Sequence, residues 1–216
     1  MTKKETAKRY ILFIVSLFFI ALGIAFTKSG ELGVSPISSV PNVLSIRFEN
    51  VSMGNWLTVW NCILIAGQIL ILRKKFQPIQ LLQVPLSFLC GYFTDFGMWC
   101  ISFIPINSYI TQLIFVLAGV VILGFGIALS VTANVIMNAG EAFVKVVADV
   151  SKKKFGNVKI AFDISNVLLS VLLSLILFDF TVVGAREGTL IAAVGTGLVV
   201  KFFTPLLNPI NRYLSK

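Results

Sequence analysis

The chain has 216 residues, of which 57% are apolar and 12% charged, against roughly 45–50% and about 25% in an ordinary soluble domain. With a mean hydropathy of +0.94, there are too few polar side chains to clothe a soluble globule, and lipid is the natural solvent. Histidine is absent, which excludes histidine-bound zinc, haem on a proximal histidine, Ser-His-Asp triads and histidine pH switching. The three cysteines, Cys62, Cys90 and Cys100, lie in apolar runs without C-x-x-C spacing, so they read as small buried hydrophobes.

The first apolar run, Tyr10 to Phe26, follows Lys3, Lys4, Lys8 and Arg9. It is too long for a signal-peptide core and no A-x-A site closes it, so it reads as an uncleaved span. Five more spans follow at Asn55–Leu72, Leu81–Ile104, Tyr109–Ser130, Ile160–Phe178 and Gly188–Phe203. Six spans put both termini on one side. That side carries 15 of the 18 basic residues, leaving only Lys28, Arg47 and Arg186 opposite, and the bias predicts cytoplasmic termini in a bacterial plasma membrane. Insertion topology thus accounts for the net charge of +9, and no nucleic-acid partner is expected.

An internal repeat organises the chain. Gly23-Ile24-Ala25 recurs as Gly126-Ile127-Ala128, 103 positions on, and Gly54-Asn55 recurs as Gly156-Asn157, 102 positions on. Each half reads as a span, an amphipathic stretch, a Gly-Asn entry into a second span, and a third span. Because three is odd, the second half must enter the membrane with opposite orientation, which predicts an inverted repeat with halves 1–107 and 108–216.

The amphipathic stretches, 31–50 and 131–154, are not ordinary loops. In the first, Ser35, Ser38, Asn42, Ser45 and Glu49 fall at helical spacing; in the second, Asn134, Asn138, Glu141, Lys145, Asp149 and Lys152 do the same. Ser35 before Pro36 is a helix start. Two readings stay open: a helix in the headgroup plane, or a segment that dips into the membrane beside a polar cavity.

Polar residues at membrane depth are the candidate pathway. Asp95 lies in the third span and Asp163 one turn inside the fifth, and the repeat places Asn61 opposite Asp163. Intramembrane carboxylates are costly and therefore expected to face the protein interior. Asn166 shares a face with Asp163, and Asn138, Glu141 and Ser35 approach from the amphipathic stretches. Arg186 and Glu187, at the mouth of the sixth span, are second-rank candidates. Each carboxylate also has a structural reading: Asp163 paired with Lys159, Asp95 as an interhelical bridge, Glu141 on a solvated face. No metal or other cofactor is expected. Small-residue rows, Ala21/Ala25, Gly124/Ala128 and Gly188/Ala192/Thr196, predict close crossings of spans one, four and six.

Gly23-Ile24-Ala25, Gly33-Val34-Ser35-Pro36, Gly54-Asn55-Trp56-Leu57-Thr58-Val59, Phe162-Asp163-Ile164 and Arg186-Glu187-Gly188-Thr189 together resemble the YitT/YczE family of bacterial integral membrane proteins. The resemblance runs over nearly the whole chain and implies a six-span fold and a membrane location, with no substrate. No soluble domain follows Lys216 in this chain, so the resemblance is to the YczE type.

The function expected is an inverted-repeat permease that moves a small solute, cationic or coupled to a cation or proton, across the plasma membrane. Alternatives are a substrate-capture subunit of an energy-coupling-factor transporter, for which Ala21-xxx-Ala25 resembles the helix-contact motif, and a scaffold working through its basic face. Phosphate loops, HExxH and nucleophile elbows are absent, so an enzyme is not expected. The bilayer is the expected partner, and a homodimer is allowed.

Overall fold

The computed structural model describes residues 3–214, and every regular element among them is helical. Of the basic residues counted above, Lys216 and the side chain of Arg212 lie outside the described residues. Helix α1 covers Lys3–Ser29, α2 Pro36–Arg47, α3 Met53–Leu72, α4 Gln83–Ile101, α5 Tyr109–Ala133, α6 Ala139–Ser151, α7 Phe155–Leu177, α8 Glu187–Leu206 and α9 Asn208–Leu214. Two short 3₁₀ turns, Arg73–Lys75 and Pro78–Leu82, join α3 to α4. Six of these helices, α1, α3, α4, α5, α7 and α8, are long and apolar enough to cross a membrane. At 1.5 Å per residue, the 27 residues of α1 reach about 40 Å, which exceeds a hydrocarbon core of about 30 Å.

The helix boundaries follow from local chemistry. Ser52 and Ser108 each cap the following helix by accepting from the backbone N–H three residues on, at Asn55 and Thr111. Proline at the first position opens α2 after Ser35. Asn134 and Lys152 end α5 and α6 in the left-handed conformation. Several helices overrun the apolar runs in the sequence. α1 begins at Lys3, since charged residues at a span end can leave the hydrocarbon without breaking the helix, and α7 begins at Phe155 rather than Ile160 for the same reason.

Helices α1 and α5 form the central pair, and their crossing explains the repeated Gly-Ile-Ala. A Cβ on Gly23 would lie 2.5 Å from the backbone N of Leu123, and one on Gly126 would lie 2.7 Å from the backbone N of Ile20. Each copy of the motif therefore seats its glycine on the other helix, so the backbones touch where lipid offers no hydrophobic drive and close packing must hold the pair. Phe13, Leu17, Ile20 and Ile24 of α1 meet Leu123, Met53 and Leu57 in the largest buried cluster. α4 packs on α1, and α8 packs on α5. The contacts between spans one and four, and between four and six, are those that the small residues predict; Gly124 abuts Val199 and Ala192 is fully buried.

The two short helices cross between the spans: α2 packs on α7, and α6 packs on α3. α2 is no headgroup helix, because Ser35, Ser38, Ser39, Val40, Asn42 and Val43 are all at most 5% exposed and Ser39 Oγ donates to the carbonyl of Asn166, midway along α7. The headgroup-plane reading therefore fails for 31–50. α6 keeps one outer face, with Lys145, Asp149 and Val150 exposed, and buries Ala139, Ala142, Val144, Val146 and Ala148. α3 runs along α4, whereas α7 and α8 do not pack along each other.

The described chain ends meet at one end of the bundle. Lys8 Nζ lies 4.6 Å from the ring centre of Tyr213, and Arg9 donates to Asn211 Oδ1 at 3.1 Å. Arg9 is 5% exposed, and its Nη1 also donates to the carbonyls of Ala133 at 3.2 Å and Thr132 at 3.4 Å. A guanidinium thereby closes the C-terminal carbonyls of α5, where the helix dipole favours positive charge.

Candidate functional site

The N-terminal ends of the two short helices meet inside the bundle. Ile37, in the first turn of α2, lays the end of its side chain where a Cβ on Gly140, in the first turn of α6, would stand. Each N-terminus leaves backbone N–H groups without helical partners and carries a partial positive charge. Polar side chains gather there because both cap positions are polar: Ser35 before α2 and Asn138 before α6.

The first tip is closed by its own hydroxyls. Ser35 Oγ donates to Ser38 Oγ at 3.0 Å, and Ser39 Oγ donates to Pro36 O and to Asn166 O. Asn166 is 3% exposed. Its amide nitrogen donates to Phe162 O at 2.8 Å, while its Oδ1 is buried with no hydrogen-bond partner. An acceptor in that condition costs on the order of 1–3 kcal/mol.

The second tip carries the charge. Glu141 is half-buried in the first turn of α6. It lies beside Asn138, at the N-cap position of its own helix, and near Lys159 and Asp163 of α7. Lys159 Nζ and Asp163 Oδ1 form an ion pair at 2.6 Å, one turn apart on α7. The structural reading of Asp163 is therefore met, and the same ion pair also stands beside Glu141. The tips together offer hydroxyls, an amide acceptor without a partner, and a carboxylate near an ion pair.

The other candidates lie apart from these tips. Asp95 is held by α3: Oδ2 accepts from Ser52 Oγ at 2.6 Å and Oδ1 from the Gly54 backbone N–H at 2.8 Å. It is thus an interhelical bridge that also serves the N-terminus of α3. Asn61 is half-buried on the α3 face that carries Leu57, Leu64 and Gln68, and it makes no side-chain hydrogen bond to the tip residues among the described residues. Arg186 and Glu187 pair with each other at 3.1 Å on the surface.

That surface pair opens a tight joint. Gly188 N–H donates to Leu32 O at 2.8 Å, and Gly33, at φ +116°, lies so close that a Cβ would overlap Thr189 Oγ1 and sit 2.8 Å from the Thr189 backbone N. The Gly-Val-Ser-Pro and Arg-Glu-Gly-Thr motifs are therefore one structural unit, anchoring the entry to α2 on the start of α8. Gly33→Ala combines a disfavoured backbone angle with a backbone clash and is expected to cost about 2–4 kcal/mol. Thermal unfolding in detergent would read this as a large drop in midpoint, and an unchanged midpoint would show the joint to be loose.

Sequence reasoning missed two polar contacts between elements, one buried and one partly buried. Gln68 is fully buried, bonds reciprocally with Gln83 at 3.1 and 3.3 Å, and donates to Ala139 O at 3.1 Å, tying α3, α4 and the start of α6 together. Lys28 Nζ donates to Asn42 Oδ1 at 2.6 Å, and Asn42 Nδ2 donates to Gly184 O. The signal for Gln68 is a lone amide in an apolar span, the same signal that selects Asn61.

Six apolar spans and two short crossing helices whose polar ends meet define a multi-pass helical membrane protein. Within that class, the chain belongs to the family of unknown function DUF6198, which matches residues 7–205. It is 25% identical over 209 residues to the uncharacterized protein YyaS of Bacillus subtilis (strain 168), covering 96% of this chain and 97% of that one. It is 22% identical over 205 residues to the uncharacterized membrane protein YczE of the same organism, covering 94% and 88%. The expected YczE-like membership is thereby shown. No solved structure matches.

Proposed function

We propose that the chain is a small inverted-repeat permease of the plasma membrane, with both termini cytoplasmic, that passes a small solute between the tips of α2 and α6. The observation that carries this reading is the meeting of two short crossing helices, N-terminus to N-terminus, with Asn166 Oδ1 unpartnered and Glu141 half-buried beside them. In secondary transporters, interrupted helices of matching position in two inverted halves build the midplane site, because helix ends supply polar groups where lipid supplies none. The order long, short, long, long occurs twice in this chain, and the reciprocal seats of Gly23 and Gly126 support reading the halves 1–107 and 108–216 as related by a two-fold axis. A carboxylate and an ion pair beside the site fit a solute that is cationic or coupled to a cation or proton.

The test is the accessibility of single cysteines at Ser35, Asn61, Asn138 and Asp163, in a chain without Cys62, Cys90 and Cys100, to membrane-impermeant thiol reagents. Labelling of Ser35 and Asn61 from outside and of Asn138 and Asp163 from inside is expected. Silence at all four would remove the polar pathway and turn attention to a capture subunit or scaffold, tested by co-purification with an ATPase module.

A further inference from the structure

The two halves share an element order and most of their packing. α1 bears α4 as α5 bears α8, and α2 crosses α7 as α6 crosses α3. The most extensive contact without a counterpart lies between the second and third spans of the first half. α3 and α4 run together, their backbones in contact where a Cβ on Gly91 would lie 2.5 Å from Gly54 O and 2.6 Å from Thr58 Oγ1. α7 and α8 stand apart. Gly156, the match of Gly54, has nothing within 4 Å of its Cβ position, and Gly195, the match of Gly91 at an offset of 104, touches only Val120 of α5.

The chemistry of the two contacts differs as well. On the closed side Asp95 bridges to Ser52 Oγ and the Gly54 N–H. On the open side the matching positions are Lys154 and Val199, and Val199 packs against Gly124 instead. The first half thus has a charged fastener, while the second has a free glycine and empty space.

We propose that the α3–α4 contact is a closed gate latched by Asp95, and that α7 and α8 form the opposite gate, captured open, which closes on Gly156 when the Asp95 latch is released. The proposal rests on the permease reading. Alternating access requires one gate shut while the other is open, and a packing that one half adopts is sterically available to a second half of the same plan. The open space at Gly156 means that closure there meets no side chain. The latch consists of two charge-assisted hydrogen bonds, so its loss raises the population with α3 and α4 apart and, through the coupling of gates, the population with α7 and α8 together.

The experiment uses the full chain without native cysteines, in membranes, with a cysteine pair at Ile160 and Ile191. These positions match Thr58 and Ser87, which touch through Thr58 Oγ1 and Ser87 O at 3.2 Å. Under a mild oxidant the intrachain disulfide is expected to form slowly, to rise at least three-fold in rate with Asp95→Asn, and to rise by less with Ser52→Ala, which removes one of the two bonds. Gly156→Leu is expected to abolish it without loss of folded protein, since the position is open. An unchanged rate in both latch variants, or crosslinks only between chains, would overturn the proposal; interchain crosslinks would mean that a second copy covers α7 and α8. Labelling at Ser35 and Asn138 in the same membranes separates the two levels. If those sites stay accessible while the disulfide ignores the latch, only the gate fails; if they are silent, the permease reading fails with it.

Discussion

Gly23→Ala and Gly126→Ala are each expected to destabilise the protein by about 2–3 kcal/mol, because each inserts a methyl against backbone. The new Cβ would meet the backbone N of Leu123 in one case and of Ile20 in the other, at 2.5 and 2.7 Å. Backbone cannot swing aside as a flexible side chain can, so α1 and α5 must separate. Separation breaks the cluster of Phe13, Leu17, Ile20 and Leu123. Because the two seats are reciprocal, their costs should be close to equal. Gly197→Ala is the control: nothing lies within 4 Å of its Cβ position, and the gain in helix propensity should leave stability unchanged or raise it by up to about 1 kcal/mol. Equilibrium unfolding in mixed micelles measures all three. A mild Gly23→Ala beside a costly Gly126→Ala would contradict the reciprocal packing.

Arg9→Met is expected to cost about 3 kcal/mol, the magnitude for removing one partner of a buried charged network. Arg9 is bonded to Glu5 Oε1 at 3.0 Å, to the carbonyls of Thr132 and Ala133, and to Asn211. Without the guanidinium the last carbonyls of α5 lose their donor at a buried helix end. Arg9→Lys should recover less than half of the loss, because a single ammonium cannot serve Glu5, two carbonyls and an amide at once. The readout is the unfolding midpoint together with the fraction that elutes as folded protein. Equal stability of Arg9→Met and the parent would mean that water closes this end of α5 as well as arginine does.

The spans were legible because hydropathy sums over a window of about 18–20 residues and tolerates local error. Their ends were less so: α1 reaches Lys3 and α7 reaches Phe155, since a helix continues through charged residues once the apolar stretch has nucleated it. The stripe of Ser35, Ser38 and Asn42 was legible as a helix. Its burial was not, because a polar stripe looks the same whether it faces headgroups or the inside of a bundle. Among the candidate residues, Ser35, Asn138, Glu141, Asp163 and Asn166 come together around the two tips and α7, whereas Asp95 is engaged by Ser52 and Gly54. Nothing in the spacing of Asp95 marks its partner on another helix, and Gln68 with Gln83 escaped for the same reason.

By itself the sequence determined the solvent, the number of spans, the family resemblance and the existence of a repeated Gly-Ile-Ala, all of which are properties of short windows. Tertiary structure alone decided that each copy of the motif seats on the other helix, that Gly33 locks against Thr189, that the short helices meet at Ile37 and Gly140, and that α3 packs along α4 while α7 does not pack along α8. The physical reason lies in the solvent. In lipid, apolar faces gain little by leaving the tails for one another, so pairing is settled by backbone approach at small residues and by a few polar bonds. Those are matters of shape between segments far apart in the chain.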